Sequence, residues 1–252
     1  MHEDNGSREP LSLARRAPGR APLGQAPPLS RLNRIADTCA VARPRCRQAS
    51  LLLAGAAVVL MSAGCAANAH YVANSGDRTY FKVPNAWRLY SQDALLNAQS
   101  KLSPDAKNAA RAGAWQVAFD SSPRPSLKHL GDPGSAHPSG IAIVQKLSFS
   151  DADTLSIQGL RNAFFDIDMA VQNGQARVIT YEPKNPSGGF HGFHLVAEVD
   201  LNNKTMTIDQ TTVVNSELSK VYALIISCKA SCYSKFKSNI NQVVGSWTVR
   251  QN

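Results

Sequence analysis

FHLVAEVDLNNKTMTIDQTTVV, residues 193–214, decides the fold. Two β-rich runs flank Asn202-Asn203. After a further turn around Asn215 a third run, KVYALIIS (220–227), follows. Short turns between β-rich runs predict an antiparallel meander. Beyond it, SCYSKFKSNINQVVGS (231–246) sets Tyr233, Phe236, Ile240, Val243 and Val244 at helical spacing, with Gly245 as a stop. SWTVR (246–250) reads as a closing strand. A sheet with one apolar face needs cover, and this amphipathic helix supplies it. The fold class is therefore α+β, a mostly antiparallel sheet flanked by helices.

Working toward the N-terminus, ARVITYE (176–182) and IAIVQKLSFS (141–150) read as strands, and WQVAF (115–119) alternates in strand fashion. Residues 151–174 carry Ile157, Leu160, Phe164, Ile167 and Val171 at helical spacing. Asp151 and Asp153 suit the start and Asn173-Gly174 the end. One helix, broken near Asp166, is the expectation, although Asn-Gly also signals a hairpin. Residues 91–114 are Ala-rich and suit two helices, with Ser91 and Ser103 as caps and Pro104 in a first turn. Tyr80, Phe81, Val83 and Trp87 favour a strand that Pro84 ends or marks as an edge. Residues 121–140 hold four Pro and three Gly and read as a long surface loop. The single α+β domain is expected to span 79–252, behind a polar tether at 65–78.

RQASLLLAGAAVVLMSAGCAAN (47–68) is the most apolar run. A basic front (Arg43, Arg45, Arg47), an apolar stretch Leu51 to Met61 and small residues before Cys65 describe a secretory signal peptide, here 41–64. A spanning helix needs about 20 apolar residues, and this run is shorter. Ser62-Ala63-Gly64-Cys65 resembles a bacterial lipobox, with Ser62 standing where Leu is usual. The expectation is a diacylglyceryl-modified Cys65, anchored on the extracytoplasmic face of the cell membrane; the alternative is plain secretion. A diacylglyceryl group meets the two-chain condition for stable anchoring. Residues 1–40 are rich in Arg, Pro, Ala and Gly without an apolar period, and no packed core is expected there. Translation starting near Val41 would exclude them; otherwise they form a cytoplasmic tail.

The net charge of +9 divides unevenly: residues 1–64 hold nine Arg and four acidic residues, so the rest of the chain is only mildly basic. Its basic residues are scattered and do not interleave with aromatics, which argues against nucleic-acid binding. Cys39 and Cys46 would leave with the signal peptide. Cys228 and Cys232 remain, and an exported pair predicts a disulfide. A Cys-x-x-x-Cys pair is neither a usual zinc half-site nor the redox motif.

Several short motifs carry a resemblance. They are Phe81-Lys82-Val83-Pro84-x-x-Trp87, Leu160-Arg161-Asn162, Gly188-Gly189-Phe190-x-Gly192, Ile208-Asp209-Gln210-Thr211, and Cys228-x-x-x-Cys232-Tyr233 through Ser246-Trp247-Thr248-Val249. With the element order, these resemble the PsbP-like α/β/α sandwich and the LpqN-like lipoproteins that share it, over roughly 79–250. The resemblance implies a non-catalytic accessory or partner-binding role outside the membrane and supplies no catalytic residues.

Candidate site residues are few. His191 and His194 flank Gly192-Phe193. On a strand, i and i+3 point to opposite faces, which disfavours shared metal ligation; in a turn both could converge, with Glu198 or Asp200 adding a carboxylate. Neither metal nor cofactor is expected. Asp166 and Asp168 are sequence neighbours, a poor arrangement for glycoside chemistry. Asp209 is expected to pair with a neighbouring backbone group or an Arg. No nucleophile elbow, P-loop or dinucleotide fingerprint is present in the sequence. Two functions stay open. The first is a lipid-anchored accessory protein. It would hold an envelope protein or cell-wall component through loop 121–140 or a sheet face lined by Trp87, Trp115 or Tyr, with His191 and His194 nearby. The second is an envelope hydrolase or redox protein, in which His129, His137, His191 or His194 meets a carboxylate in a cleft.

Overall fold

The computed structural model describes residues 68–251. The signal-type run, Cys65 and residues 1–40 lie outside the described residues.

Two antiparallel sheets carry the fold. The larger comprises β3 (Arg88–Tyr90), β4 (Ala114–Asp120), β5 (Ser139–Lys146), β6 (Ala176–Lys184), β7 (His191–Leu201), β8 (Lys204–Val214) and β9 (Lys220–Lys229), in the order β3-β4-β5-β9-β8-β7-β6. The smaller joins β1 (Ala69–Asn74), β2 (Thr79–Pro84) and β10 (Thr248–Val249). The expected meander is β7-β8-β9. Its first turn is Asn202-Asn203, both at positive φ (52° and 60°) between the paired Leu201 and Lys204. A two-residue hairpin turn of type I′ needs φ > 0 at both positions, and Asn tolerates it. Asn215 fixes the second turn by accepting from the amides of Ser219 and Lys220, 2.9 Å each.

Residues 69–74 were expected within a tether; they form β1 instead. The reason lies in packing: Val72 sits opposite Phe81 and is buried with Phe81, Val83 and Ile240. The single helix expected over 151–174 is three short ones, α3 (Phe149–Thr154), α4 (Ile157–Asn162) and α5 (Ile167–Gln172). Ser156 caps α4 and Asp166 caps α5 through side-chain oxygens. Such residues compete for the backbone and restart helices. Ser148, in a capping box with Asp151, likewise starts α3 at Phe149, where the expected strand continues to 150. Ahead of β4 lie α1 (Gln92–Ala98) and α2 (Pro104–Gly113), capped by Ser91 and Ser103 as their sequences predict.

Helix α6 (Ala230–Ser246) and the small sheet cover one face of the large sheet. There Phe81, Trp87, Ile240 and Val243 pack on Phe119, Leu224 and Ile226. Alternate β7 residues Phe193, Leu195, Ala197 and Val199 point the other way, onto Leu160 and Ile167 of α4 and α5 and Leu95 of α1. Each large side chain buried this way contributes roughly 1.5–3 kcal/mol. The Cys228–Cys232 disulfide ties the end of β9 to the first turn of α6, with Cα atoms 6.0 Å apart. No described helix is long and apolar enough to cross a membrane.

Candidate functional site

Loop 121–140 is stapled from below rather than splayed. Asp120 is fully buried. One of its oxygens accepts from the Ser122 amide (2.9 Å); the other accepts from the Ser126 amide (2.7 Å) and bonds His129 Nδ1 (2.7 Å). Ser139 Oγ donates to the His129 carbonyl at 2.7 Å. The Asp120–His129 pair thus closes the loop onto the ends of β4 and β5.

The expected surface residues disperse. Trp87 is 5% exposed and stacks on Phe119 with ring centroids 5.7 Å apart, so it belongs to the core. Trp115 is half-buried between two apolar clusters. His191 is exposed at the start of β7. His194 lies three residues along the same strand and so on the opposite face. It meets a carboxylate: Nε2 is 2.9 Å from Asp209 Oδ1, while Nδ1 lies 3.9 Å from Glu182. Tyr233 of α6 donates its Oη–H to the other Asp209 oxygen at 2.7 Å. Burial pushes the Tyr233 phenol well above its ordinary value, and the Asp209 charge adds to this. The phenol therefore remains a donor. The partners of Asp209 are thus His194 of the neighbouring strand and Tyr233 of a helix, in place of the expected backbone or Arg. His137 packs against the Phe236 ring, centroids 5.6 Å apart.

A nucleophile–base–orienter series needs a hydroxyl or thiol on the far nitrogen of the histidine. At His194 that nitrogen faces a second carboxylate. Among the described residues, no group of three or more His, Cys, Asp or Glu is placed to hold a metal.

A cluster of exposed apolar side chains lies elsewhere, at β6. This strand is one edge of the large sheet, paired among the described residues only with β7, and Ile179 is bulged where the register slips between Val178 and Thr180. Val178, Ile179 and Tyr181 of β6, with Met169 and Val171 of α5, are 41–51% exposed. Beside them opens a cavity of about 420 Å³ between α4, α5 and β6, lined by Gln158, Arg161, Asp168, Val171, Val178 and Tyr181. Arg161 Nη2 donates to Asp168 at 2.7–2.8 Å, and Asn162 donates to the same carboxylate at 2.8 Å. The Arg161 hydrogen bond holds the Asp168 carboxyl below its usual range. The Arg161 guanidinium carbon lies 5.6 Å from the Tyr181 ring centroid, and that ring stacks on the buried Phe193. Arg161 Nε is buried without a hydrogen-bond partner. Sequence reasoning missed this surface except for Arg161 and Asp168, each noted for other reasons. Pro183 was the available signal, because proline within a sheet marks an edge strand.

No protein-family model matches the chain, and no curated protein matches it. Among solved structures it is similar to cyanobacterial PsbP (CyanoP) from Synechocystis: 15% identity, TM-score 0.44, covering 73% of this chain and 94% of that one. It is similar to LpqN, involved in cell envelope biogenesis of Mycobacterium tuberculosis: 17% identity, TM-score 0.39, 69% and 83% covered. The Ran-binding protein Mog1p of Saccharomyces cerevisiae gives 14% identity, TM-score 0.39, and 72% and 95%. At these identities and scores the likenesses assign no activity, partner or address to this chain.

Proposed function

We propose that the protein is a lipid-anchored, non-catalytic accessory protein of the cell envelope, and that it holds an extended segment of a partner protein along β6. The address rests on the signal-type run ending at Cys65. The observation that carries the binding role is the β6 edge. An edge strand offers unpaired backbone groups to another chain, and sheets usually blunt such edges. The β6 edge carries two such blunting devices, the bulge at Ile179 and Pro183, yet it keeps three exposed apolar side chains and a cavity beside them. Strand addition gains affinity from main-chain hydrogen bonds and specificity from pockets that take alternate side chains. The α4–α5–β6 cavity is placed to be such a pocket.

One observation favours a catalytic alternative, an envelope hydrolase or redox protein: two histidines, His129 and His194, each lie within hydrogen-bond reach of an aspartate. Asp120 is occupied in closing a loop, and His194 sits between two carboxylates. The disulfide cysteines are 0% and 4% exposed, whereas a redox thiol needs access.

The test places a photo-reactive residue at Ile179 and, as control, at the exposed Lys101, in living cells. The proposal expects an Ile179-specific adduct with one envelope protein, lost in Val178→Asp while far-UV circular dichroism is unchanged. Equal adducts at both positions, or an adduct that survives Val178→Asp, would contradict it.

A further inference from the structure

We infer that the outer face of the small sheet β1-β2-β10 is a docking surface for the anionic headgroups of the bilayer. This inference rests on the anchoring at Cys65 proposed above. Its starting point is chain length. Strand β1 begins at Ala69, so only three residues, 66–68, lie between the lipid-bearing cysteine and a hydrogen-bonded sheet, a span of four Cα steps. An extended chain reaches at most about 3.6 Å per residue, or about 14 Å here. A domain of this size is roughly 40 Å across. A leash shorter than the body it holds cannot let that body roll freely. The surface around β1 therefore stays next to the membrane.

The composition of that surface suits its place. Tyr71 is 64% exposed and stacks on Tyr80, ring centroids 6.0 Å apart. The Arg250 guanidinium lies 5.7 Å from the Tyr80 ring centroid. Lys82, exposed, is the direct cross-strand partner of Tyr71. Strands β1, β2 and β10 contain no Asp or Glu. The nearest carboxylate in sequence, Asp77 in the β1–β2 turn, is neutralised by Lys220 Nζ at 2.8 Å. Phenol rings with one apolar and one wet end favour the membrane interface. Lysine and arginine near an anionic surface each strengthen attachment about fivefold, an effect confined to a Debye length. Arg250 over the Tyr80 ring and Lys82 opposite Tyr71, on the sheet tied to the lipid, make a charge-complementary surface for phosphate headgroups. Docked this way, the sheet packs over β4, β5 and β9, and leaves β6 about 24 Å from β4 along the large sheet, free for a partner.

The experiment uses the processed protein as isolated from cells, reconstituted into phosphatidylglycerol or phosphatidylcholine vesicles and treated with a lysine-acylating reagent. Mass spectrometry compares Lys82 with the reference Lys101 and reads the N-terminus in the same sample. The inference expects Lys82 to label about fivefold more slowly on phosphatidylglycerol. It expects the difference to vanish in about 1 M salt and to shrink in Arg250→Ala. A lipidated protein whose Lys82/Lys101 ratio is the same on both vesicles overturns the docked face and leaves the anchor standing. A protein without lipid at Cys65 overturns the anchor, and this inference with it.

Discussion

Replacing Tyr233 by Phe deletes one oxygen atom and tests whether the His194–Asp209–Tyr233 series is structural. The Tyr233 hydroxyl donates to Asp209 at 2.7 Å, and the Asp209 side chain is 2% exposed. The variant leaves one carboxylate oxygen buried without its donor, while His194 still holds the other at 2.9 Å. A hydrogen bond to a charged group contributes about 1.5–3 kcal/mol, and an unsatisfied buried partner costs a similar amount. Tyr233→Phe should therefore lose about 2 kcal/mol. For a domain of this length that is a fall in Tm of about 4–8 °C. The assay is urea unfolding at pH 7, reading the midpoint at constant slope, because an altered slope would signal a change in the unfolded state. Adding Asp209→Asn and the double variant completes a cycle whose coupling energy should be about 1.5 kcal/mol or more. A loss below about 0.5 kcal/mol, with additive single variants, would refute the reasoning. Asp209 would then not depend on Tyr233, and the series would be available for another role.

Gly192→Ala should cost about 1–3 kcal/mol in a thermal melt, because a Cβ there meets the Thr212 carbonyl and the Val213 Cα across β8. Cys228→Ala with Cys232→Ala opens a five-residue ring and should lose about 2 kcal/mol by loop entropy, measured as the shift in urea midpoint against the oxidised protein. Arg161→Met should destabilise the protein at neutral pH. Asp168 has a folded value below its ordinary 3.8, so the pair contributes stability above 3.8 and loses it as pH falls through the lowered value. The gap between variant and wild type in urea midpoint should accordingly close on acidification below pH 3.8 and stay constant between pH 5 and 7.

What could be read from the residues was local. Ser91, Ser103 and Pro104 mark helix starts by chemistry acting within one turn. Asn202-Asn203 marks a turn, and the 228–232 spacing sets a disulfide within reach. The face of α6 was visible because its apolar period is uninterrupted from Tyr233 to Val244. What escaped depends on distant pairing. AHYVAN has one buried apolar side chain, Val72, and becomes a strand because Phe81 and Val83 lie opposite and beneath. Trp87 resembles a ligand platform until Phe119, 32 positions on, stacks against it. The Asp209 partners lie 15 and 24 positions away and meet only once the β7–β8 register and the seat of α6 are known. The edge position of β6 had one local signal, Pro183, but its place in the strand order belongs to topology, since strand order does not follow chain order.

The intact mass of the native N-terminus tests the central claim most directly, because both the partner-holding role at the envelope and the docked face depend on the anchor. The account predicts a chain beginning at Cys65 with a diacylglyceryl group on its sulfur, and no peptide from residues 1–64. A mature protein that starts elsewhere, or an unmodified Cys65, would contradict it.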